Sequence, residues 1–218
     1  YYRDGAYCIG LGMTAREQLL SFLAKAADPN SGGRQMPQHY GHKDLRIVSQ
    51  SSPTGTQFLQ AVGCALVCKM GKTKEVVYVS AGEGTTSQGD FHEALNWASN
   101  AKAPVIFHIQ DNEYAISTHR SEQTASSIYN MTSGYGNLSR YDVDGTDFFE
   151  TSLAFKEAVE RARRKKGPSI IVSHVVRLLP HSSSDDQRKY RNEKSLNDDL
   201  KKDPCLLYTS PSPRDSIR

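Results

Sequence analysis

Hydrophobic residues follow two different spacings along this chain, and the alternation between them predicts the order of its elements. Short apolar runs are typical of buried strands, whereas apolar positions three and four residues apart indicate helices. Strands that alternate with helices predict an α/β fold with a mostly parallel sheet flanked by helices. The predicted strands are 75–80, 104–110, 139–143 and 169–175, and the predicted helices are 56–70, 89–101 and 148–166.

A further helix is predicted near the start of the chain, in "TAREQLLSFLAKAAD". Thr14 and Glu17 have the spacing of a capping box, in which each residue's side chain binds the other's backbone N–H. The Gly- and Pro-rich segment "PNSGGRQMP" follows and predicts a loop. Gly167 and Pro168 predict the end of the last long helix.

Composition narrows the class of protein. The 218 residues carry a net charge of +3, which is too small to indicate nucleic-acid binding, and "RARRKK" at 161–166 is typical of a solvated helix end. No apolar run reaches the roughly 18 residues of a membrane span, so we expect no membrane partner.

Cys64 and Cys68 lie four residues apart on a predicted helix and are more typical of small buried side chains than of a metal site.

The last stretch of the chain differs from the rest. The segment "CLLYTSPSPRDSIR" is rich in Ser and Pro and fits no periodic element. We therefore predict one domain over residues 1–203, incomplete at both ends, followed by a non-native, adapter- or vector-derived tail over 204–218. The start at "YYRDG", without Met, also suggests a fragment.

The segment "AGEGTTSQGDF" places a carboxylate between two glycines directly after a predicted strand. It lacks the third glycine of a dinucleotide-binding fingerprint and the Lys of a phosphate-binding P-loop. A structural turn before a helix is one interpretation. The other is a ligand site, because ligands of parallel sheets bind beyond the carboxyl ends of the strands.

A second polar residue supports the ligand site. Asn112 follows the next predicted strand, and the ends of adjacent parallel strands lie about 5 Å apart. Glu83 and Asn112 are therefore expected to converge, and their oxygens suit Mg²⁺ together with substrate phosphates. Gly82 and Gly84 would let a diphosphate approach the backbone.

Several segments, taken in order, resemble one enzyme family over about residues 1–203. "GEGTTSQGDFHEALNWAS" followed by "DNEYAIS" is similar to the thiamine diphosphate motif of the alpha subunit of the 2-oxo acid dehydrogenase decarboxylating component. "GRQMPQHYG", "SSPTGTQ" and "HSSSDD" resemble its branched-chain (2-oxoisovalerate) type. The resemblance implies a thiamine diphosphate-binding fold, with thiamine diphosphate, Mg²⁺ and K⁺ as cofactors.

The resemblance also implies roles for individual residues. His181 matches the catalytic histidine, and Ser182 follows it in a loop that is regulated by phosphorylation in animal relatives; Asp185, Asp186, Tyr190 and Arg191 match the rest of that loop. Glu83, Asn112 and the backbone of Tyr114 match the Mg²⁺ ligands, and Ser51, Pro53, Thr56 and Gln57 match a K⁺ site. The residues that match cofactor contacts are Tyr2, Arg3, Ser52, Thr54, Gly82, Glu83, Gly84, Thr85, Asn112, Tyr114 and His181.

Several positions depart from the family pattern: Glu83 replaces the commoner Asp, Leu179-Pro180 replaces Gly-His before His181, and two further departures lie next to the Asn112 turn. Glu113 stands where Gly is usual between Asn and Tyr, so the backbone at this position is expected to be unusual. Gln110 stands where some relatives place an Arg on the diphosphate, and Arg3 would have to compensate for that missing cation.

The activity implied by the resemblance is oxidative decarboxylation of a branched-chain 2-oxo acid, with transfer of the acyl group to a lipoyl acyltransferase partner. The glutamate that activates the cofactor normally comes from a beta subunit, so an alpha-2 beta-2 heterotetramer is expected. The compartment would be the cytoplasm in a bacterium and the mitochondrial matrix in a eukaryote. The alternatives are a pyruvate or acetoin dehydrogenase alpha subunit, and a non-catalytic cofactor-binding or assembly module.

Overall fold

The computed structural model describes residues 1–209, which fall into two compact units, the first ending at Gln57 and the second beginning at Phe58. The first unit contains helices α1 (Gly5–Gly10) and α2 (Ala15–Phe22) and long loops. Its small core consists of Cys8, Met13 and Tyr40.

The predicted capping box at the start of α2 is confirmed. The Thr14 side chain accepts a bond from the Glu17 N–H at 3.2 Å, and the Glu17 carboxylate accepts one from the Thr14 N–H at 2.7 Å. The helix ends at Phe22, earlier than the apolar pattern suggests. Ala24 takes a left-handed φ of 48°, and the N–H of Lys25 bonds back to the Leu20 carbonyl, which is the Schellman arrangement that stops a helix.

The second unit is built on one four-stranded parallel sheet, so the predicted fold class is confirmed. The strand order is β1-β2-β6-β5, and the neighbours β1/β2, β2/β6 and β6/β5 are all parallel. Each predicted strand lies within two residues of an observed one. The sheet strands are β1 (Val77–Gly82), β2 (Val105–Asp111), β5 (Ser139–Asp144) and β6 (Ser169–His174), and the long helices are α3 (Thr56–Met70), α4 (Gly89–Ala101) and α7 (Phe148–Arg163).

Both faces of the sheet are covered, as the near-continuous apolar strands require. On one face Phe107 of β2 packs with Phe58 of α3 and Phe91 of α4, with ring centroids 6.1 and 5.1 Å from Phe58. On the other face Ile106 and Ile171 pack with Ala154 and Ala158 of α7. The helices therefore bury the sheet faces and leave the carboxyl ends of the strands for a site.

Several short elements were not predicted. A two-stranded hairpin, β3 (Tyr114–Ala115) and β4 (Thr118–His119), follows β2. A 3-10 turn covers Glu83–Ser87. The remaining short helices are α5 (Arg120–Gln123), α6 (Ile128–Met131), α8 (Glu193–Leu200) and α9 (Pro204–Tyr208) together with 3-10 turns at Thr132–Gly134 and Gln187–Lys189.

The short helix α9 includes the first four residues of the stretch that was expected to have no periodic element, so that expectation is wrong for 205–208. Residues 210–218 of the predicted tail lie outside the described residues, and the domain boundary at 203 stays a prediction. Within residues 1–209, none of the helices combines the length and the apolar character that a membrane span needs.

Candidate functional site

Glu83 and Asn112 meet at the carboxyl ends of adjacent strands. The register pairs Gly82 of β1 with Gln110 of β2, so the two chain segments leave the sheet side by side. The Asn112 N–H donates to Oε2 of Glu83 at 3.2 Å. The predicted convergence of these two residues is confirmed, and their role as metal ligands stays a prediction.

The Glu83 carboxylate is buried, and the positive charge of Arg177 acts on it without forming an ion pair. It is 3% exposed, and among residues 1–209 no basic side chain forms an ion pair with it. Burial raises its pKa above the usual range, and the nearby negative charge of Asp111 adds to this effect. A divalent cation at Glu83 would remove that penalty, so the site fits Mg²⁺ chemically.

Asn112 and Tyr114 belong to one tight turn. The Asn112 side-chain oxygen accepts a bond from the Tyr114 N–H at 3.1 Å. An amide oxygen has two lone pairs, so this bond leaves it able to bind a cation as well. The three predicted Mg²⁺ ligands are therefore linked through backbone hydrogen bonds.

The structure shows a need for glycine at Gly84 and none in the backbone angles of Gly82. Gly82 has φ −78° and ψ 163°, which any residue adopts. Gly84 packs against the hairpin, because a Cβ at this position would lie 2.6 Å from the Ala115 Cβ. The Gln123 side chain also holds the Glu83–Ser87 turn in place, because it donates to the Gly84 carbonyl at 2.7 Å. Thr85 is buried in the same 3-10 turn.

Two charged residues beside Asn112 were not recognised from the sequence as a pair. Asp111, whose side chain is fully buried, forms an ion pair with Arg120. Asp111 lies in the motif but had no predicted role, and Arg120 gave no signal in the sequence because the hairpin that brings it back was not predicted. The unusual backbone expected at Glu113 is confirmed, with a φ of 69°.

The loop that carries His181 is closed by Asp185. Its carboxylate accepts the His181 N–H at 2.8 Å and the Tyr190 hydroxyl at 2.6 Å. The bond from Tyr190, followed by that from His181, holds the pKa of Asp185 below its usual range. Ser182 is exposed, and its hydroxyl lies 3.2 Å from that of Ser184.

Arg177 joins this loop to the hairpin. Its guanidinium donates to the Ile116 carbonyl and to the Tyr190 hydroxyl, both at 2.7 Å, and lies 5.3 Å from the centre of the Tyr114 ring. The buried Arg191 lies over the same ring at 5.0 Å. The structure thus connects the segments of His181 and Tyr114, through an arginine to which the sequence analysis gave no role.

The remaining predicted cofactor residues lie in the first unit. His39 connects two of them: its Nε2 lies 2.8 Å from the Ser52 hydroxyl, and its ring is stacked near Tyr2 with centroids 6.2 Å apart. The Arg3 guanidinium lies 6.0 Å from the Tyr2 ring centre, and Thr54 is exposed. His39 lies in "GRQMPQHYG", which resembles the branched-chain type, but no role was predicted for it.

The four residues predicted to bind K⁺ also lie close together in the first unit. The Pro53 carbonyl accepts bonds from the hydroxyls of Ser51 at 3.3 Å and Thr56 at 3.1 Å, and those two hydroxyls contact each other. The Gln57 side-chain oxygen accepts the Gly55 N–H at 2.9 Å. A cluster of uncharged oxygens of this kind suits a cation, and K⁺ binding stays a prediction.

Comparison with known sequences matches this chain to one enzyme family, both by a family model and by individual relatives. The family model described as "Dehydrogenase E1 component" matches residues 1–210. The 2-oxoisovalerate dehydrogenase subunit alpha of Bacillus subtilis is 48% identical over 209 residues, covering 95% of this chain and 63% of that protein. The mitochondrial subunit of Homo sapiens is 43% identical over 166 residues, covering 76% of this chain and 37% of that protein. The chain therefore spans less than two thirds of the length of these relatives.

Comparison with solved structures concerns the fold. A transketolase from Campylobacter jejuni superimposes with a TM-score of 0.55 and 20% sequence identity, covering 64% of this chain and 22% of that one. At this identity the similarity shows a shared fold and carries no statement about activity.

Proposed function

Because the chain belongs to the dehydrogenase E1 component family, we propose that it is the alpha subunit of a thiamine diphosphate-dependent enzyme that oxidatively decarboxylates a branched-chain 2-oxo acid. The observation that carries the proposal is the Glu83 carboxylate, buried without an ion-pair partner among the described residues and bonded to the Asn112 N–H at the ends of adjacent strands. The branched-chain substrate is supported by the similarity to relatives named for 2-oxoisovalerate.

In this proposal Glu83, the Asn112 side chain and the Tyr114 carbonyl would hold Mg²⁺, and the metal ion would supply positive charge for the diphosphate. Thiamine diphosphate supplies the electron sink for decarboxylation when it is bound. Tyr2, Arg3, Ser52 and Thr54 keep the cofactor-binding roles that the family resemblance implies. Ser51, Pro53, Thr56 and Gln57 hold K⁺ and order their loop.

His181 is proposed to move a proton at the reacting group, because an imidazole titrates near neutral pH and serves as acid or base. Its loop is anchored by Asp185 and Tyr190, and Arg177 attaches the anchor to the hairpin of Tyr114. This arrangement supports a fixed position for His181 relative to the Mg²⁺ turn.

The proposed partners are a beta subunit in an alpha-2 beta-2 assembly and a lipoyl acyltransferase that accepts the acyl group. The relatives come from a bacterium and from mitochondria, so the proposed compartment is the cytoplasm in a bacterium and the mitochondrial matrix in a eukaryote.

The test is carbon dioxide release by the full-length subunit co-expressed with its beta subunit, supplied with thiamine diphosphate and Mg²⁺. We expect faster release from 3-methyl-2-oxobutanoate than from pyruvate, and loss of release in Glu83→Gln. The matched control is Glu157→Gln, an exposed acid on α7, which should keep wild-type rates. Release mainly from pyruvate would overturn the substrate, and a well-formed complex without release from either acid would indicate a non-catalytic role.

A further inference from the structure

Two buried carboxylates lie next to each other at the ends of β1 and β2, and they differ in their partners. Asp111, with a side chain that is fully buried, is paired with Arg120, and Nδ1 of His174 lies 3.8 Å from the same carboxylate oxygen. Glu83 is 3% exposed and has no such ion pair among the described residues. Arg120 therefore neutralises one carboxylate and leaves the other for a cation.

Arg120 is attached to the turn after β2 in two ways. Its backbone N–H donates to the Glu113 carbonyl at 2.8 Å, and its guanidinium contacts Asp111 and lies 3.6 Å from the Glu113 carboxylate. The other oxygen of Asp111 accepts the Glu113 N–H at 3.0 Å. Arg120 thus contacts the residues on both sides of Asn112, namely Asp111 and Glu113.

The turn at 111–114 needs the contacts of Arg120 because its backbone is strained at Glu113. A residue other than Gly in the left-handed region costs about 1–3 kcal/mol and persists when the surrounding contacts enforce it. Glu113 is such a residue, with a φ of 69°. If the turn relaxed, the bonds from Asn112 to Glu83 and from Tyr114 to Asn112 would be displaced together.

We propose that Asp111 and Arg120 form a positioning pair, which orients Asn112 and Tyr114 toward a divalent cation and keeps Glu83 unpaired to receive it. Neither member of the pair contacts the cation; both act through the turn. The inference rests on the proposed function of this site, and its test separates the two.

The informative variants are Asp111→Asn and the double variant Asp111→Asn/Arg120→Gln. The single change removes the Asp111 anion and leaves Arg120 with only the Glu113 carboxylate, 3.6 Å away, so the turn loses its main attachment. The double change removes both charges, and the two new amides can hydrogen-bond to each other in place of the ion pair. Glu160→Gln, which breaks an Arg–carboxylate pair on α7 at 3.1 Å, is the matched control.

The first readout is Mn²⁺ affinity of the thiamine diphosphate-loaded alpha–beta complex, measured by electron paramagnetic resonance. Changes to groups that orient metal ligands weaken metal binding by about 10- to 100-fold. We expect at least a tenfold loss in Asp111→Asn, recovery of most of it in the double variant, and no change in Glu160→Gln. Wild-type affinity in Asp111→Asn would overturn the inference, as would a double variant that is as weak as the single one.

The second readout needs no cofactor. Hydrogen exchange of the peptide covering 112–116 in the metal-free complex should speed up by about tenfold in Asp111→Asn, while the peptides of α7 keep their rates. If wild type bound no Mn²⁺, the proposed function would fail, and this exchange measurement would still decide whether the pair holds the turn. Unchanged exchange at 112–116 overturns the inference in either case.

Discussion

The backbone N–H of Asn112 donates to the Glu83 carboxylate at 3.2 Å, and this bond joins the ends of two adjacent parallel strands. The bond holds the buried Glu83 carboxylate at the edge of the sheet where ligands of such folds bind. The bond offsets part of the penalty for burying the charge, since the net shift of the Glu83 pKa is still upward. Glu83 thus reduces stability in the metal-free chain, as expected of the cation ligand that we propose.

Glu83→Gln should stabilise the metal-free protein at neutral pH by on the order of 1 kcal/mol, because it removes a buried unpaired charge. A carboxyl whose pKa is raised on folding loses stability as the pH rises through that pKa. The gain from the substitution should therefore appear at neutral pH and vanish near pH 4, where the carboxyl is protonated in both states. Urea unfolding of both proteins without metal, across this pH range, provides the measurement.

In the same experiment Mg²⁺ should stabilise wild type and leave Glu83→Gln unchanged, because ligands that bind the folded state raise its stability by mass action. Glu157→Gln is the control and should behave as wild type in both series. Equal stabilisation of Glu83→Gln by Mg²⁺ would place the metal elsewhere.

Gly84→Ala should disturb the site through packing. The new Cβ would lie 2.6 Å from that of Ala115, so the hairpin has to move. Overpacking of this kind costs roughly 1–3 kcal/mol, and we expect a lower unfolding midpoint together with weaker Mn²⁺ binding. Gly89→Ala is the matched control: no neighbouring atom lies within 4 Å of its added Cβ, and it begins a helix, where Ala is tolerated. Equal midpoints for the two variants would contradict the packing argument.

Much of the fold was predictable because its signals are local. The strands β1, β2 and β6 are apolar runs, α2 has a capping box, and α4 was predicted with its observed bounds, Gly89–Ala101. The family resemblance, drawn from motifs in order along the chain, is confirmed by the family match over residues 1–210. In the site, the proximity of Glu83 and Asn112 was predictable because each follows a strand, and adjacent parallel strands end at the same edge of the sheet.

The unpredicted part depends on contacts between distant segments. Arg120 returns to Asp111 across a hairpin of two-residue strands, which are too short to show an apolar period. Arg177 reaches Ile116 from a position 61 residues later, and nothing in its own neighbourhood indicates that partner. The early end of α2 arises from a left-handed Ala24, where the usual signal would be Gly.

Glu113→Gly should make the protein more stable by about 0.5 to 1 kcal/mol. Glycine adopts a positive φ without strain, and the gain is reduced because glycine also loses more backbone entropy on folding. The exposed Glu113 side chain contributes little, as its contacts to Arg120 and His119 are long, at 3.6 and 3.9 Å. Glu113→Ala removes the same contacts and keeps the strain, so it should show no gain in urea unfolding. A similar gain from both substitutions would show that the side chain, not the φ angle, is responsible.

Tyr190→Phe should loosen the loop that carries His181. The Tyr190 hydroxyl donates to Asp185 at 2.6 Å and accepts from Arg177 at 2.7 Å, so one substitution removes a bond within the loop and the hydrogen bond that links the loop through Arg177 to the hairpin of Tyr114. Each hydrogen bond contributes about 1 kcal/mol, and we expect amide exchange over residues 178–190 to become roughly five- to tenfold faster. Tyr141→Phe, on β5 outside this loop, should leave the exchange unchanged. If Tyr190→Phe also left it unchanged, the His181 loop would be held by the Asp185 bond to the His181 N–H, and the link to Tyr114 would not matter for its order.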